Sequence, residues 1–360
     1  MDKKVTIRDV AEKAGVSISS VHLALCGKAG VSDETRVRVR NAAQELGYTP
    51  NASASSLKRG ARRIAILVPT ESGNNRYYYT QIWRGVHDYI NMGTANLVCT
   101  ELPFDDEADR SSTSFVDLRR MVEEDRLDGL LAVGHIDRNK ISEADWACLE
   151  ENEIPIVFIN SANPYSKYFC CVQPDYDIIG RTMAELVTSH IPEFGSIFLC
   201  AGNPDWASHT AVVRGFERYL HEHGRTNRIY MDHMWTIDSV HAEAVLEGIQ
   251  NPDVAACCSV YSQGTFLLGQ ALEASGKAQR LFAVGSDLSE ETLELIRRGV
   301  LNNSIQKNPY AQGYIGVRTL VEYLVSGKKP EDKTIYVGSE VVFASNLTMY
   351  EHGRYHYHFF

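Results

Sequence analysis

Residues 16–26 read Val-Ser-Ile-Ser-Ser-Val-His-Leu-Ala-Leu-Cys, and this stretch predicts the second helix of a helix-turn-helix. Ser17 is suited to cap the helix, and Val21 and Leu25 are spaced to lie on one apolar side. The opposite face, which a DNA major groove would meet, carries Ile18, Ser19, His22 and Leu23. Two short amphipathic helices around a glycine turn also occur inside many protein cores. Periodicity alone therefore leaves both interpretations open.

The segments on either side predict the other two helices of such a head. Thr6 and Asp9 have the spacing of a capping box, and Gly15 is suited to the left-handed backbone that ends a helix. Ser32 precedes two acidic residues in the first turn of a third helix, where the helix dipole favours negative charge. The apolar residues of this third helix are Val37, Val39, Ala42, Ala43 and Leu46.

Charge is divided unevenly along the chain. Residues 1–63 hold 12 Lys and Arg against 6 Asp and Glu, a net charge of +6. Because the whole chain carries −10, the remainder carries −16, from 24 basic and 40 acidic residues. Neutralising phosphates supplies most non-specific affinity for nucleic acid. A DNA-binding surface is therefore expected on the N-terminal head alone.

From Val5 to Gly60 the sequence resembles the LacI/GalR family of transcription regulators. The resemblance is carried by Val-Thr-Ile-Arg-Asp-Val-Ala-Glu-Lys-Ala-Gly-Val-Ser at 5–17, Gly-Lys-Ala-Gly-Val-Ser-Asp-Glu-Thr-Arg at 27–36 and Glu-Leu-Gly-Tyr-Thr-Pro-Asn at 45–51. It implies that base edges are read by Ile18, Ser19, His22 and Leu23. It implies that phosphates are held by Thr6, Ser17, Ser20, Ser32 and Thr35.

Two departures bear on which DNA is read. Most members have Ser-Arg where this chain has His22-Leu23, and Asn where it has Cys26. Arginine can grip a guanine edge with two hydrogen bonds, worth roughly 1–3 kcal/mol of discrimination, and leucine cannot. Leu23 is left to touch a thymine methyl or to pack within the head. The preferred half-site should therefore differ from the usual one of the family.

The resemblance also implies a hinge over residues 50–61 that becomes helical on DNA. Within it, Leu57 would wedge into a minor-groove step, with Asn51, Ala54 and Lys58 beside the backbone. A disordered linker rich in Ser is the alternative interpretation of this stretch. Ser55 stands where many relatives carry Arg, which puts one minor-groove contact in doubt.

The rest of the chain alternates short apolar runs with helical segments. Predicted strands are 64–68, 97–100, 130–133, 156–159, 197–200, 256–260 and 281–284, with helices at 81–90, 117–124, 211–223, 240–249, 266–274 and 290–298. This alternation predicts an α/β fold of parallel sheets with helices on both faces. It resembles the two-lobed, periplasmic-binding-protein-like effector domain of the family. The predicted domains are a helix-turn-helix head at 1–49, the hinge at 50–61, the two-lobed effector and dimerisation domain at 62–345 and a tail at 346–360.

Ligands of parallel sheets bind at the carboxyl ends of the strands. The resemblance and this rule give eight candidate effector-binding positions: Arg76, Tyr78, Tyr79, Asn160, Val212, Gln263, Asp287 and Lys307. Tyr78 and Tyr79 would stack on a sugar, or instead pack on their own lobe. Asp287 would accept sugar hydroxyls or cap a helix. Arg76 and Lys307 are either surface cations or a sign of a phosphate or carboxylate on the effector.

The sequence therefore predicts a homodimeric repressor that binds a near-palindromic DNA operator under the control of a sugar or sugar derivative. A solute-binding sensor without strong operator specificity is the alternative. We expect no enzyme activity, cofactor or metal, because no nucleophile elbow, phosphate loop or clustered Cys/His set is present. We expect no membrane association either, because no stretch of about 18 uninterrupted apolar residues occurs. No apolar run follows the first four residues, so a cytoplasmic location is expected.

Overall fold

The computed structural model describes residues 5–25, 30–46, 61–93, 95–105, 118–136, 141–163 and 167–350. The chain divides into two compact units, one of which contains the N-terminal helices. The predicted hinge residues Asn51, Ala54, Leu57 and Lys58, together with Cys26 and the tail beyond Tyr350, lie outside the described residues.

The N-terminal head consists of three short helices, α1 (Ile7–Ala14), α2 (Ile18–Leu25) and α3 (Asp33–Glu45). The predicted capping box is present, because the Thr6 backbone amide and hydroxyl both donate to Asp9. Gly15 has a φ of 64°, which other residues adopt only with strain. The fully buried centre of the head is formed by Val10, Val21, Ala24 and Val39.

Side-chain hydrogen bonds fix both ends of α2 and the start of α3. The Ser17 hydroxyl accepts from the Ser20 amide, and the Ser32 hydroxyl accepts from the Thr35 amide. The Arg36 guanidinium, in α3, donates to the last carbonyls of α2, which have no partner within the helix. Among the apolar residues of α3, Val39, Ala42 and Ala43 are buried, whereas Val37 is 56% exposed and lies on the outer side of the helix.

The second unit contains two parallel sheets. Its strands are β1 (Arg62–Leu67), β2 (Leu97–Glu101), β3 (Gly129–Val133), β4 (Ile156–Ile159), β5 (Cys170–Pro174), β6 (Ser196–Cys200), β7 (Ile229–Asp232), β8 (Val254–Ser259), β9 (Phe282–Ser286), β10 (Asn303–Gln306), β11 (Thr334–Val337) and β12 (Glu340–Phe343). Its helices are α4 (Arg76–Asn91), α5 (Leu118–Glu123), α6 (Glu143–Glu151), α7 (Tyr176–Thr188), α8 (Ala207–Glu222), α9 (Ser239–Gln250), α10 (Ser262–Ala274), α11 (Glu290–Arg297) and α12 (Pro309–Ser326).

The two sheets have the same strand arrangement. The order is β11-β5-β4-β3-β1-β2 in the first sheet and β12-β10-β9-β8-β6-β7 in the second. All neighbours are parallel except β12, which runs antiparallel to β10. We call the part built on the first sheet lobe 1 and the part built on the second lobe 2. The chain crosses between them after β5, after β10 and between β11 and β12.

Helix packing explains why small residues stand at particular positions. A side chain at Gly313 of α12 would meet the carbonyl of Ile82 in α4 at 2.2 Å. A side chain at Gly180 of α7 would meet the carbonyl of Val212 in α8 at 2.0 Å. Each glycine therefore lets two helix backbones touch within one lobe, α12 joining lobe 1 and α7 joining lobe 2.

The predicted α/β class is confirmed, and each of the seven predicted strands is present. Sequence periodicity missed β5, β7, β10, β11 and β12. Three of these lie at or next to a sheet edge with partly exposed residues, so their apolar runs are short. The paired cysteines 170–171 and 257–258 and Cys200 are buried free thiols, as expected.

Candidate DNA-reading face and effector cavity

The outer face of the head presents the residues that the sequence singled out for DNA. Exposed there are Thr6, Ser17, Ile18, Ser19 and Ser32, and half-buried are Ser20, Leu23 and Thr35. Ile18 is 43% exposed although it is apolar, which suits a contact with a thymine methyl. The Cδ1 atom of Leu23 lies against Gly30, so this side chain packs partly within the head. The side chain of His22 lies outside the described part of the chain.

A cavity lies where the carboxyl ends of the two sheets face each other. It encloses about 590 Å³ of empty space, including its open mouth. Each lining group follows a strand or starts the next helix, as expected for ligand sites of parallel sheets. The lining residues are Asn74, Asn75, Tyr78, Tyr79, Asn160, Tyr176, Trp206, Ser208, His209, Trp235, Val260, Tyr261, Ser262, Gln263, Asp287 and Lys307.

Aromatic rings form much of the cavity wall. In lobe 1 the rings of Tyr78 and Tyr79 meet edge to face, with centroids 5.3 Å apart. In lobe 2 Trp206 contacts both Trp235, at 5.6 Å, and His209, at 5.0 Å. Such rings offer flat apolar surfaces beside polar atoms, the combination that suits the C–H faces and hydroxyls of a sugar.

Asp287 and Lys307 form an ion pair inside the cavity. The Lys307 ammonium donates to Asp287 Oδ2 at 2.9 Å and to the carbonyl of Val260 at 2.9 Å. Their side chains are only 2% and 6% exposed, so the pair lies in a region of low dielectric. Burial raises the pKa of Asp287, and the positive charge of Lys307 opposes that rise. The two formal charges cancel, so the polar floor of the cavity is neutral overall.

Gln312 of α12 connects both lobes at the back of the cavity. Its amide nitrogen donates to the Tyr78 hydroxyl at 2.9 Å and to the carbonyl of Lys307 at 2.9 Å. Its amide oxygen accepts from the backbone N–H of Asn160 at 3.1 Å. The Tyr176 hydroxyl in turn donates to the carbonyl of Asn160 at 2.6 Å. Gln312 is fully buried, so this network fixes Tyr78 and Asn160 firmly.

His209 faces the cavity as a neutral ring. The backbone N–H of Asn203 donates to its Nδ1 atom at 3.1 Å, so the proton of the neutral ring resides on Nε2. Burial lowers the pKa of His209 well below its ordinary value, and the nearby charge of Lys307 lowers it further. The ring therefore presents a neutral N–H donor at neutral pH.

Two polar atoms on the cavity wall make no hydrogen bond to any group in the described residues: the Asn75 amide nitrogen and Asp287 Oδ1. One is a donor and the other an acceptor. Buried polar atoms are almost always paired in proteins, so unpaired ones at a cavity mark positions for a ligand or water. A hydroxyl group, which both donates and accepts, matches this pair of atoms.

Contacts at one side of the cavity join the two lobes directly. Arg76 of lobe 1 donates to Glu291 of lobe 2 at 3.0 Å, and the ring of Tyr77 stacks on Phe266 with centroids 5.2 Å apart. Gln263 donates to the carbonyl of Asn74 at 3.3 Å. These contacts hold the lobes together around the cavity.

Six of the eight predicted effector positions line the cavity: Tyr78, Tyr79, Asn160, Gln263, Asp287 and Lys307. The other two predicted positions do not line the cavity. Val212 is 1% exposed and belongs to the apolar core of lobe 2, while its backbone carbonyl lies against Gly180 of α7. Arg76 does not line the cavity, because its guanidinium turns to Glu291. Asp287 does not cap a helix either, since Ser289 caps α11. Lys307 is buried, contrary to the surface-cation alternative.

Ten of the sixteen lining residues were not among the predicted positions, and Trp206, His209 and Trp235 are the most prominent of them. The supporting residue Gln312 was missed as well. Trp206 and His209 follow β6, which was predicted, so applying the strand-end rule there would have found them. Trp235 follows β7, which sequence periodicity did not reveal. Gln312 carries no local signal, because its role depends on contacts with Tyr78 and Asn160, which are distant in the sequence.

Within the described residues, no group of three or more His, Cys, Asp or Glu side chains is arranged to hold a metal ion. In the same part of the chain, none of the helices combines the length and apolar character needed to span a bilayer.

Comparison with known proteins gives two family matches. Residues 6–51 match the family described as bacterial regulatory proteins, lacI family, and residues 64–329 match the periplasmic binding protein domain family. Catabolite control protein A of Staphylococcus epidermidis is 24% identical over 334 residues, which cover 89% of this chain and 92% of that protein.

Two solved structures illustrate the fold. GanP, a glucose-galactose binding protein from Geobacillus stearothermophilus, is 21% identical with a TM-score of 0.64, and the alignment covers 80% of this chain and 99% of GanP. An ABC transporter solute binding protein from Burkholderia graminis in complex with D-arabinose is 16% identical with a TM-score of 0.67, covering 81% of this chain and 98% of that protein. At these levels of sequence identity, the similarity shows a shared fold and nothing more.

Proposed function

Since this chain belongs to the LacI family of bacterial regulators, with a periplasmic binding protein domain behind its helix-turn-helix, we propose that it is a sugar-responsive repressor. The head binds a specific DNA operator, and a small carbohydrate in the cavity between the lobes changes that affinity. We further propose that it acts in the cytoplasm as a homodimer on a near-palindromic site and performs no catalysis. Twofold symmetry in the protein is the reason to expect it in the operator.

The head supports DNA binding through charge and through the groups on its outer face. Residues 1–63 carry a net charge of +6 while the remainder carries −16, so phosphates are attracted to the head alone. Ser17 and Ser20 hydroxyls lie at the start of α2, where free backbone amides and the helix dipole favour a phosphate. Ile18 and Ser19 lie exposed beside them for contacts with base edges.

The buried Asp287–Lys307 ion pair is the main reason for the class of effector that we propose. Because each charge is already neutralised by the other, a charged effector would leave one of the three charges unpaired in a buried site. A neutral polyhydroxylated ring instead meets aromatic walls, an N–H of His209 and the unpaired atoms of Asn75 and Asp287. We therefore propose an uncharged monosaccharide. The names of the two solved relatives, which mention glucose, galactose and D-arabinose, agree with this class.

A thermal-shift panel on the full chain tests the effector class. Neutral sugars (D-glucose, D-galactose, D-ribose and D-arabinose) are compared with charged ones (D-glucose 6-phosphate and D-gluconate). We expect at least one neutral sugar to stabilise the protein, by about 2.7 kcal/mol at one hundred times its Kd, and the charged sugars to have no effect. Stabilisation by the phosphate or the acid alone would contradict the neutral class.

A further inference from the structure

Trp235 lies on a short loop, residues 233–238, that joins β7 to α9 and brings this side chain to the cavity. Trp235 and Ile237 are only partly buried, although both pack against the apolar core of lobe 2. Hydrogen bonds also hold the loop. The Met234 amide donates to Asp232 Oδ1 at 3.1 Å, and the Tyr261 hydroxyl donates to the Met234 carbonyl at 2.9 Å.

Two further bonds converge on one buried ring. His241, on the first turn of α9, is completely buried. Its Nε2 atom lies 2.6 Å from Asp232 Oδ2, before the loop, and its Nδ1 atom lies 2.5 Å from the carbonyl oxygen of Thr236, within it. The imidazole therefore bridges the start of the loop to the residue after Trp235.

The chemistry of these two partners decides the protonation of the ring. A backbone carbonyl has no proton to donate, and a carboxylate is likewise an acceptor. A neutral imidazole carries one N–H and can satisfy only one of them, whereas the imidazolium carries two and satisfies both. An acceptor on each side of the ring therefore favours a positively charged His241.

We propose that His241, held as a cation between Asp232 and the carbonyl of Thr236, is the positioning residue that places Trp235 against the bound effector. The expected effect on effector binding rests on the proposed effector site. The placement of Trp235 by His241 involves residues of lobe 2 alone and does not depend on that site. Trp235 contributes to the aromatic wall through its contact with Trp206 at 5.6 Å. Loosening the loop would therefore remove part of the surface on which a sugar ring stacks.

The charged groups around the ring agree with this protonation. Asp232 of β7 and Asp238 at the start of α9 both act on His241, and no positive group is among the causes of its shift. Burial alone lowers the pKa of His241, but the hydrogen bonds to Asp232 and Thr236 together with both carboxylates raise it above its ordinary value. The neighbouring Cys200 and Tyr261 keep their protons, because burial raises the pKa of each.

The sign of the pH dependence follows. Because the folded protein raises the pKa of His241, the bridge is fully formed below the ordinary value of about 6.5 and is lost as pH rises through the raised value. His209 gains a proton only at low pH, because its pKa is lowered. The change in charge of His209 is therefore separated in pH from the loss of the proton of His241.

Fluorine NMR of the full chain labelled with 5-fluorotryptophan tests the positioning without any ligand. The protein has four tryptophans, so Trp235→Phe assigns the resonance. In the wild type we expect the Trp235 resonance to move as the pH rises above the ordinary histidine value of about 6.5, while that of Trp146 in lobe 1 stays fixed. His241→Leu should displace the Trp235 resonance at every pH. The matched control His233→Gln, an exposed histidine on the same loop, should leave it in place.

Asp232→Asn provides the conservative variant. Its amide oxygen can still accept from the Met234 amide, and its N–H can donate to Nε2 of a neutral His241, whose Nδ1–H still reaches Thr236. We expect this variant to keep the acid-form Trp235 resonance and to lose its pH dependence. A pH response that persists in Asp232→Asn, or an unchanged Trp235 resonance in His241→Leu, would overturn the proposal.

The affinity for whichever neutral sugar of the panel binds, measured by titration calorimetry, gives the functional readout. We expect it to fall about ten-fold in His241→Leu, the order of effect of removing a support behind a binding group, and to remain near wild type in Asp232→Asn. An unchanged sugar affinity in His241→Leu would contradict the proposal that His241 supports effector binding through Trp235. If none of the four sugars binds, the effector class is wrong, and the Trp235 resonance alone decides the positioning.

Discussion

Asp287→Ala is expected to lower the free energy of unfolding of the two-lobed part by about 3–5 kcal/mol, because it leaves the Lys307 charge buried without its partner. The Lys307 side chain is 6% exposed, so water cannot replace the lost carboxylate. Lys307→Met should also destabilise, since Asp287 would then be the unpaired group. The double variant should lower the free energy of unfolding by clearly less than the sum of the two single losses, because it removes both charges together.

Tryptophan fluorescence during urea unfolding measures this effect. All four tryptophans lie between residues 62 and 345, so the signal reports the two-lobed part. Glu150→Ala is the control, because it breaks an ion pair with Lys167 whose side chains are 81% and 47% exposed. Glu150→Ala should lower the free energy of unfolding by less than about 1 kcal/mol. If Asp287→Ala cost no more than Glu150→Ala, the buried pair would not have the role given to it here.

Ser19→Asp is expected to weaken DNA binding about 100-fold or more at moderate salt. Ser19 is exposed on α2, so the change should leave the head folded while placing a negative charge against phosphates. Electrostatic attraction supplies much of the affinity for DNA, and a like charge at the contact opposes it directly. The measurement is fluorescence anisotropy with a duplex selected from a random pool by the wild-type chain.

Asn41→Asp provides the matched control, since it adds the same charge at an exposed position on α3, away from the proposed reading helix. We expect it to change the affinity only a few-fold, through net charge. Equal losses in the two variants would show that the reading face had been placed on the wrong helix.

The head could be predicted largely from sequence because its signals are local. Thr6 with Asp9, Gly15 and Ser32 each act within one helical turn, and the structure has all of these caps. Val37 marks the limit of these signals, because it is apolar and yet lies exposed on α3. Local spacing does not say which of several adjacent apolar residues the other helices will cover.

The cavity was only partly predictable, because its chemistry depends on contacts between distant elements. The strand-end rule located Asn160, Asp287 and Lys307. It could not show that Asp287 and Lys307 neutralise each other, a pairing across 20 positions that removes the reason to expect a phosphate or carboxylate on the effector. β10 also escaped periodicity, because three of its four residues are polar although all four are buried. Their burial is made tolerable by bonds such as that from the Ser304 hydroxyl to the Asp287 carbonyl.

The central claim is that occupancy of the cavity changes the affinity of the head for DNA. The most direct test titrates a selected duplex into the full chain without and with a saturating concentration of the stabilising sugar. We expect the Kd for DNA to change by about 5- to 150-fold, and saturating DNA to change the Kd for the sugar by the same factor, as linkage requires. A Kd for DNA that is the same with and without bound sugar would contradict the account.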